Sequence, residues 1–152
     1  MALSAKHKPV YATLPKTSVG VLNAASAGAL NSLTNAVTVL TAGTGGCMVD
    51  ALTAVSNDTA AVNLFVFIVG SDGVTVKPLF QVNVPINSGN GANILNVDVL
   101  NSSVSVGTLI DNTVKRLVRL GPSESLRIST LANMTAAKIC AVTAQYQDID
   151  VS

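Results

Sequence analysis

The pattern of apolar and polar positions along the chain is that of short β-strands. The longest apolar run, residues 64–69 in the stretch NLFVFIVG, ends at a GSDG turn in which Asp72 and Gly73 suit a tight hairpin. After the turn, residues 80–84 alternate between apolar and polar, as in a strand with one solvated face. Because residues 64–69 do not alternate, both faces of that strand are predicted to be covered. Pro78 predicts an edge strand or a bulge, and Pro85 predicts the end of the return strand.

The same alternation predicts further strands, separated by segments rich in Gly, Asn, Ser, Asp and Pro. These strands fall near residues 49–55, 95–99, 126–129 and 139–144. Short strands with regular turns predict an all-β sandwich or barrel. Residues 22–33 have a loosely helical spacing that Gly28 weakens, so we expect a short helix or an extended connection there.

The chain divides into three predicted parts. Residues 1–34 form an N-terminal arm or connection, residues 35–147 the β-sandwich domain, and residues 148–152 a C-terminal tail. The 152 residues fit one domain with a sizeable core.

Composition then narrows the function classes. Charged residues are only 11% of the chain and the formal net charge is +1, which argues against binding to nucleic acid. Weak charge also weakens repulsion between copies, as suits a protein that assembles. The apolar run is too short to cross a membrane, and the N-terminal residues lack the apolar core of a secretory signal. We therefore expect no membrane partner and a cytoplasmic site of synthesis.

Catalytic and metal-binding patterns are weak. The sole histidine, His7, lies in the predicted arm, so neither a serine nor a cysteine nucleophile has a well-placed base. The carboxylates fall mostly at turns, and the glycine-rich segments GTGG and SGNG lack the context of a phosphate-binding loop. We expect no catalytic residue, no metal and no cofactor. Cys47 and Cys140 are interpreted as buried hydrophobic residues, although a disulfide between neighbouring strands stays open.

Charged segments supply the candidate contact residues. The N-terminal segment is basic and the C-terminal segment acidic. Either both termini are frayed, or they reach a neighbouring subunit. The segment KRLVR is interpreted as a solvated sheet edge, with contact to an acidic partner as the second interpretation. The candidates for partner contact are Lys6, Lys8, Lys16, Lys115, Arg116, Arg119, Asp148 and Asp150.

Four segments, taken in order, carry a resemblance: GGCMVDALTAVSNDTAAVNLFVFIVGSDG, KPLFQVNVP, LGPSESLRIST and KICAVTAQYQDI. From residue 43 to residue 149 the chain resembles the capsid decoration, or cement, proteins of tailed phages. The resemblance implies a jelly-roll-like antiparallel sandwich that forms a homodimer or homotrimer. It also implies binding to the major capsid protein on the outer surface of a virion assembled in the host cytoplasm.

Two other functions stay open at this point. A head-fibre base, tail or baseplate adaptor of the virion would leave the same traces in the sequence. A lectin-like carbohydrate-binding sandwich is the second alternative. It is disfavoured because sugar sites usually stack on aromatic rings, and the chain has no Trp and only Tyr11 and Tyr146.

Overall fold

A computed structural model describes residues 14–24, 26–28, 32–91, 94–102, 109–110 and 116–149. This part of the chain contains ten strands and one four-residue helix. They are β1 (Lys16–Leu22), β2 (Val37–Thr41), β3 (Cys47–Ser56), β4 (Val62–Val69), β5 (Val76–Val84), β6 (Val97–Asp98), α1 (Val99–Ser102), β7 (Leu109–Ile110), β8 (Arg116–Leu120), β9 (Ser125–Thr130) and β10 (Cys140–Asp148). The predicted all-β class is confirmed.

The strands form two antiparallel sheets. The first has the order β1-β10-β3-β8-β7, with β6 also paired to β3, and the second has the order β2-β9-β4-β5. The pairs are nested in the chain: β4 with β5, then β3 with β8, β2 with β9 and β1 with β10. Successive pairs in this nested series lie alternately in the second sheet and in the first sheet. That winding is the jelly roll, so the predicted jelly-roll-like sandwich is also confirmed.

The core lies between the two sheets, because alternate residues of each strand point inward. Val49 and Leu52 of β3 and Leu64 and Val66 of β4 are fully buried there. Ile128 of β9 joins them. These side chains supply the apolar burial that holds the sandwich together.

Both faces of β4 are covered, as its uninterrupted apolar sequence predicts. One face points into the core, while Phe65, Phe67 and Val69 form a second cluster on the outer side of the sheet. Leu33 and Ala36, from the connection between β1 and β2, pack on this cluster. A chain segment outside the sheet therefore shields aromatic rings that would otherwise face water.

The sequence predicts a short helix or an extended segment for the connection between β1 and β2. The residues of 22–33 that the structure describes contain no helix. Ala27 instead makes a parallel bridge with Thr130, and the Gly28 amide donates to the Thr130 carbonyl at 2.9 Å.

The hairpin between β4 and β5 forms where the GSDG turn predicts it. Gly73 has a φ of 74°, and the Asp72 carboxylate accepts hydrogen bonds from the amides of Val74 at 3.0 Å and Thr75 at 2.9 Å. The Thr75 hydroxyl also donates to Asp72. These bonds, the hydroxyl first, lower the pKa of Asp72 to about 2. Pro78 lies in β5 at the edge of its sheet and opposite a register shift, so both predicted features occur.

The predicted domain boundaries need one correction. Residues 16–22, assigned to the arm or connection, form β1 and pair with β10 over seven residue positions. The sandwich therefore begins at Lys16, and Asp148, assigned to the tail, is the last residue of β10. The similarity of VGVLN at Val19 to VTVLT at Val37 and VDVLN at Val97 indicates a strand here, and β1 lies on it.

The predicted strand at residues 95–99 is also mostly wrong. Only Val97 and Asp98 pair with β3, and the chain then turns into α1. The Asp98 carboxylate accepts a hydrogen bond from the Leu100 amide at 3.1 Å, which is the geometry of a residue that caps a helix. Capping by Asp98 ends the strand one residue earlier than the apolar alternation indicates, and the strand begins two residues later.

Candidate contact surfaces

Lys16 and Asp148, two of the predicted contact residues, bind each other. They come together because β1 and β10 are neighbours, and the Lys16 ammonium donates to the Asp148 carboxylate. This hydrogen bond, followed by the attraction of the opposite charge, raises the pKa of Lys16. The basic and acidic ends of the sequence thus meet within one chain at these two positions.

The other predicted contact residues are dispersed. Lys6, Lys8, Lys115 and Asp150 lie outside the residues that the structure describes. Arg116 is the first residue of β8, and Arg119 is exposed on the same strand. Since β8 lies between β3 and β7, the basic segment is not the sheet edge that its sequence indicates.

The two cysteines lie on neighbouring strands, but at opposite ends of them. Cys140 is opposite Ser56 and Cys47 is opposite Asp148. About eight residues separate them along the sheet, or roughly 26 Å at about 3.3 Å per residue, whereas a disulfide needs Cα atoms within about 7 Å. The disulfide left open by the sequence is thus excluded. Burial raises the pKa of Cys47 to about 11 and that of Cys140 to about 12, so both thiols stay protonated.

Clusters of potential metal ligands are absent from the described ranges. No group of three or more His, Cys, Asp and Glu residues in these ranges is arranged to hold a metal ion. Among the same residues, no helix has the length and apolar character needed to cross a membrane.

The outer side of the first sheet carries an uncharged grid of side chains, which we call the outer face. It consists of three rungs across β1, β10 and β3, in which residues point away from the core. The rungs are Val21, Ala141 and Val55; Val19, Thr143 and Thr53; Thr17, Gln145 and Ala51. Val19 is 54% exposed and Val21 is 42% exposed. These nine positions carry no charge, and exposed Asp98 of β6, which pairs with Thr53, continues the middle rung at one side.

A shallow depression continues the outer face at one end of the strands. Its volume is about 140 Å³, and its lining includes Val55, Ala141, Ile139 and Gly89. Gly89 has a φ of 73°, and a Cβ there would lie 2.6 Å from a methyl group of Val55. Glycine therefore lets the 85–91 loop close against the rim of the outer face.

The loops at this end form a second surface, which we call the apolar loop end. Loops 57–61, 85–96 and 131–139 meet here, because β3 and β9 end where β4 and β10 begin. Leu95 is 84% exposed and Leu131 is 56% exposed, with Ile86 and Ile139 also in contact with solvent. In the described part of these loops the charged residues are Asp58 and Lys138, and Asp58 is buried.

Asp58 ties two loops of the apolar loop end together. Its carboxylate accepts hydrogen bonds from the Thr135 hydroxyl at 2.6 Å, the Thr135 amide at 3.0 Å and the Ala60 amide at 3.1 Å. Burial acts to raise the pKa of Asp58, but the bonds from Thr135 and Ala60 outweigh it and lower the pKa below its ordinary value of 3.8. The ionised carboxylate thus stabilises the loops that present the apolar side chains.

We expect Asp58→Asn to lower the free energy of unfolding by about 2 kcal/mol at pH 7, because an amide cannot replace these charge-assisted bonds. The folded-state pKa is the lower one, so the stabilisation is present above the unfolded pKa and is lost as pH falls through the folded value. Urea titrations of both proteins at neutral pH and near pH 3 should show the difference shrink in acid. A difference that does not change with pH would contradict the assignment.

The opposite end of the sandwich carries the charge. The ion pair between Lys16 and Asp148 lies there, as does the pair between the Lys77 ammonium and Glu124 Oε1 at 2.5 Å. The hydrogen bond from Lys77, together with the Gly121 amide, lowers the pKa of Glu124 against the effect of its burial. Of the described residues, both ion pairs thus lie at one end of the sandwich, and exposed Ile86, Leu95, Leu131 and Ile139 lie at the other.

Sequence reasoning missed both the outer face and the apolar loop end. The available signal was the absence of charge in VGVL, TAVS and AVTA, but that absence does not say which side chains point outward. In β10, small residues occupy inward and outward positions alike. Only the register of the three strands places Val19, Thr143 and Thr53 side by side.

The strand order places the chain in the class of jelly-roll β-sandwich proteins. No protein-family model and no curated protein matches the sequence. Among solved structures, one chain of the cyanophage Pam1 capsid asymmetric unit is similar over 97% of this chain and 94% of its own length, with 18% sequence identity and a TM-score of 0.45.

Proposed function

We propose that this protein is a structural component of a phage virion that binds the outer surface of the capsid and stabilises contacts between major capsid subunits. It acts by adhesion and not by catalysis. The observation that carries the proposal is an apolar loop end, poor in charge, on a rigid jelly-roll sandwich. Four segments of the sequence resemble decoration proteins, and the jelly-roll winding that this resemblance implies is the one the chain adopts.

Stabilising a capsid in this way requires only weak binding at each position on the shell. A protein that binds only the assembled shell stabilises the assembled state by mass action. Many copies on one lattice add their contributions, so a modest contact at each position is sufficient. The apolar loop end suits such a contact, because its exposed Leu95 and Leu131 bury apolar area while its charge-poor loops give up little hydration.

The direct test uses shells assembled from the capsid protein encoded in the same genome, without this protein. Purified protein should sediment with the shells and raise the temperature at which they fall apart. Gold-labelled antibodies should mark the head of whole virions. Labelling confined to the tail would favour an adaptor function, and absence from virions together with binding to glycans would favour a lectin. Either result would overturn the proposal.

Substitution at the apolar loop end should separate shell binding from folding. We expect a double variant, Leu95→Asp with Leu131→Asp, to bind shells at least about tenfold more weakly, because burial of two unpaired carboxylates costs more than about 1.4 kcal/mol. The matched control is Val74→Asp, since Val74 is 72% exposed in the hairpin at the charged end. The control should bind like the parent protein. Equal loss in both variants would exclude the loop end as the contact.

A further inference from the structure

The glycine-rich segment SGNG contains a pair of residues whose chemistry the proposed function does not use. Asn90 and Gly91 form the chain's single Asn-Gly sequence. Both residues are exposed, in the loop between β5 and β6 at the apolar loop end. Asparagine is chemically labile where its side chain can meet the next main-chain nitrogen, and glycine allows that meeting best because it lacks a Cβ.

The reaction at such a pair needs only water. The main-chain nitrogen of Gly91 attacks Cγ of Asn90, its proton leaves with the carboxamide nitrogen as ammonia, and a succinimide ring closes. Water then opens the ring at one or the other of its carbonyl carbons. One opening gives aspartate, and the other gives isoaspartate, in which the main chain runs through Cγ and is longer by that carbon. Either product carries a carboxylate where the asparagine was neutral.

The surroundings of Gly91 leave space for this ring. Of the described atoms, the nearest to a Cβ built at Gly91 is the Asn87 carbonyl oxygen, at 4.0 Å. Gly91 makes an isolated bridge with Ile94, so no continuous strand ladder holds its main chain. The Asn90 amide donates to the Asn87 carbonyl at 3.1 Å, and the Gly89 amide donates to the Ile94 carbonyl at 2.9 Å. The peptide that has to rotate therefore lies at the tip of the loop, beyond these bonds.

The Asp72-Gly73 pair could form the same ring by losing water, but its reacting groups are engaged. The Asp72 carboxylate accepts hydrogen bonds from the amides of Val74 and Thr75. The Gly73 amide donates to the Gly70 carbonyl at 2.9 Å. Ring closure there would break these bonds, so the structure protects this pair.

Asn57 lines the same depression as Asn90 but is protected in the same way. Its side-chain oxygen accepts a hydrogen bond from the Ile139 amide at 2.8 Å. The amide that would attack it, that of Asp58, donates to the Ser56 hydroxyl at 3.1 Å. Asp58 also carries a Cβ, which shields its nitrogen. Local structure therefore favours reaction at Asn90 over reaction at Asn57.

We propose that Asn90 deamidates spontaneously through a succinimide with Gly91, and that the product binds capsid shells more weakly. Asn90 lies in the lining of the depression together with Ile139. A carboxylate here adds a charge to loops whose described charged residues are Lys138 and the buried Asp58. A contact at this end would have to desolvate that charge. The effect on shells rests on the proposed function, whereas the reaction itself does not.

Peptide mapping by mass spectrometry tests the reaction. After several weeks at neutral pH and body temperature, Asn90 should have become a mixture of isoaspartate and aspartate. Isoaspartate is diagnostic, because direct hydrolysis of the side chain cannot form it. Gly91→Ala should react at least about tenfold more slowly, since a Cβ hinders the attacking nitrogen. Alanine fits at this position because the φ of Gly91 is not positive.

Two results would overturn the assignment of this site. One is a parent protein that keeps Asn90 intact, and the other is equal conversion in the parent and in Gly91→Ala. Asn57 in the same sample is the internal control and should stay an asparagine. Conversion of Asn57 as fast as Asn90 would show that the local structure does not select the site.

Sedimentation with shells tests the consequence separately. Asn90→Asp supplies the charge without ageing, should unfold at the same temperature as the parent protein, and should bind shells at least about fivefold more weakly. Val74→Asp supplies the same charge in the exposed hairpin at the other end and should bind like the parent. The parent should lose binding on ageing as Asn90 converts, whereas Gly91→Ala should bind equally before and after ageing.

The outcomes separate this inference from the proposed function. Equal shell binding by Asn90→Asp and the fresh parent protein would refute the effect of the modification on shells. Failure of the fresh parent protein to bind shells would instead refute the proposed function, while the peptide map would still decide whether Asn90 reacts.

Discussion

Replacing Phe67 by alanine is expected to lower the free energy of unfolding by about 4 kcal/mol, the usual cost of emptying a buried aromatic site. Phe67 is fully buried although it points away from the core between the sheets. Leu33 and Ala36 pack over this ring. They lie in the connection between β1 and β2, outside the hydrogen-bonded strands. Loss of the ring would therefore leave a cavity and also loosen the connection between β1 and β2.

Urea titration followed by circular dichroism measures this effect, since the midpoint shifts while the slope stays constant in a two-state transition. Phe67→Leu should lower the free energy of unfolding much less than Phe67→Ala does, because leucine fills most of the same space. Val74→Ala, on an exposed hairpin, should change stability by less than about 0.5 kcal/mol. A loss of less than about 1 kcal/mol in Phe67→Ala would show that the outer cluster is not tightly packed.

The second large effect is expected at Gly46, in the turn between β2 and β3. Gly46 has a φ of 83°, and a Cβ at this position would lie 2.5 Å from the Leu120 carbonyl oxygen. Gly46→Ala therefore combines backbone strain with a clash against main chain that cannot rotate away. We expect the free energy of unfolding to fall by about 3 kcal/mol, because the cost of a left-handed alanine adds to the cost of local overpacking.

Gly73 provides the matched comparison for Gly46. Its φ of 74° is nearly the same, but a Cβ there has no neighbour within 4 Å. Gly73→Ala should therefore lower the free energy of unfolding by about 1 kcal/mol, which is the cost of a left-handed backbone at alanine alone. The difference between the two variants, measured by thermal or urea unfolding, isolates the clash with Leu120. Equal losses at both positions would show that the turn at Gly46 relaxes.

The sequence predicts the strands whose patterns are unambiguous. β4 has an uninterrupted apolar run, and the GSDG turn with Pro78 defines its partner, so this hairpin follows from local chemistry alone. The pairing of β1 does not, although the similarity of VGVLN to VTVLT and VDVLN indicates a strand there. Its place beside β10 is set by a pairing between residues more than 100 positions apart, which no local pattern contains.

The two candidate contact surfaces are hard to predict for a related reason. Charged residues are conspicuous in a sequence this poor in them, yet Lys16 and Asp148 satisfy each other. The outer face is defined by what its residues lack, and its members come from three separate segments. Leu95, interpreted as one position of a strand, is instead one of the most exposed apolar side chains. Such surfaces become recognisable only after the register of the strands is known.

The position of β10 between β1 and β3 limits when the outer face can exist. During translation, β1 and β3 leave the ribosome long before residues 140–148, and neither can complete the first sheet without them. Domains fold as units once their chain has emerged. The nascent polypeptide thus lacks the completed outer face until residues 140–148 have emerged.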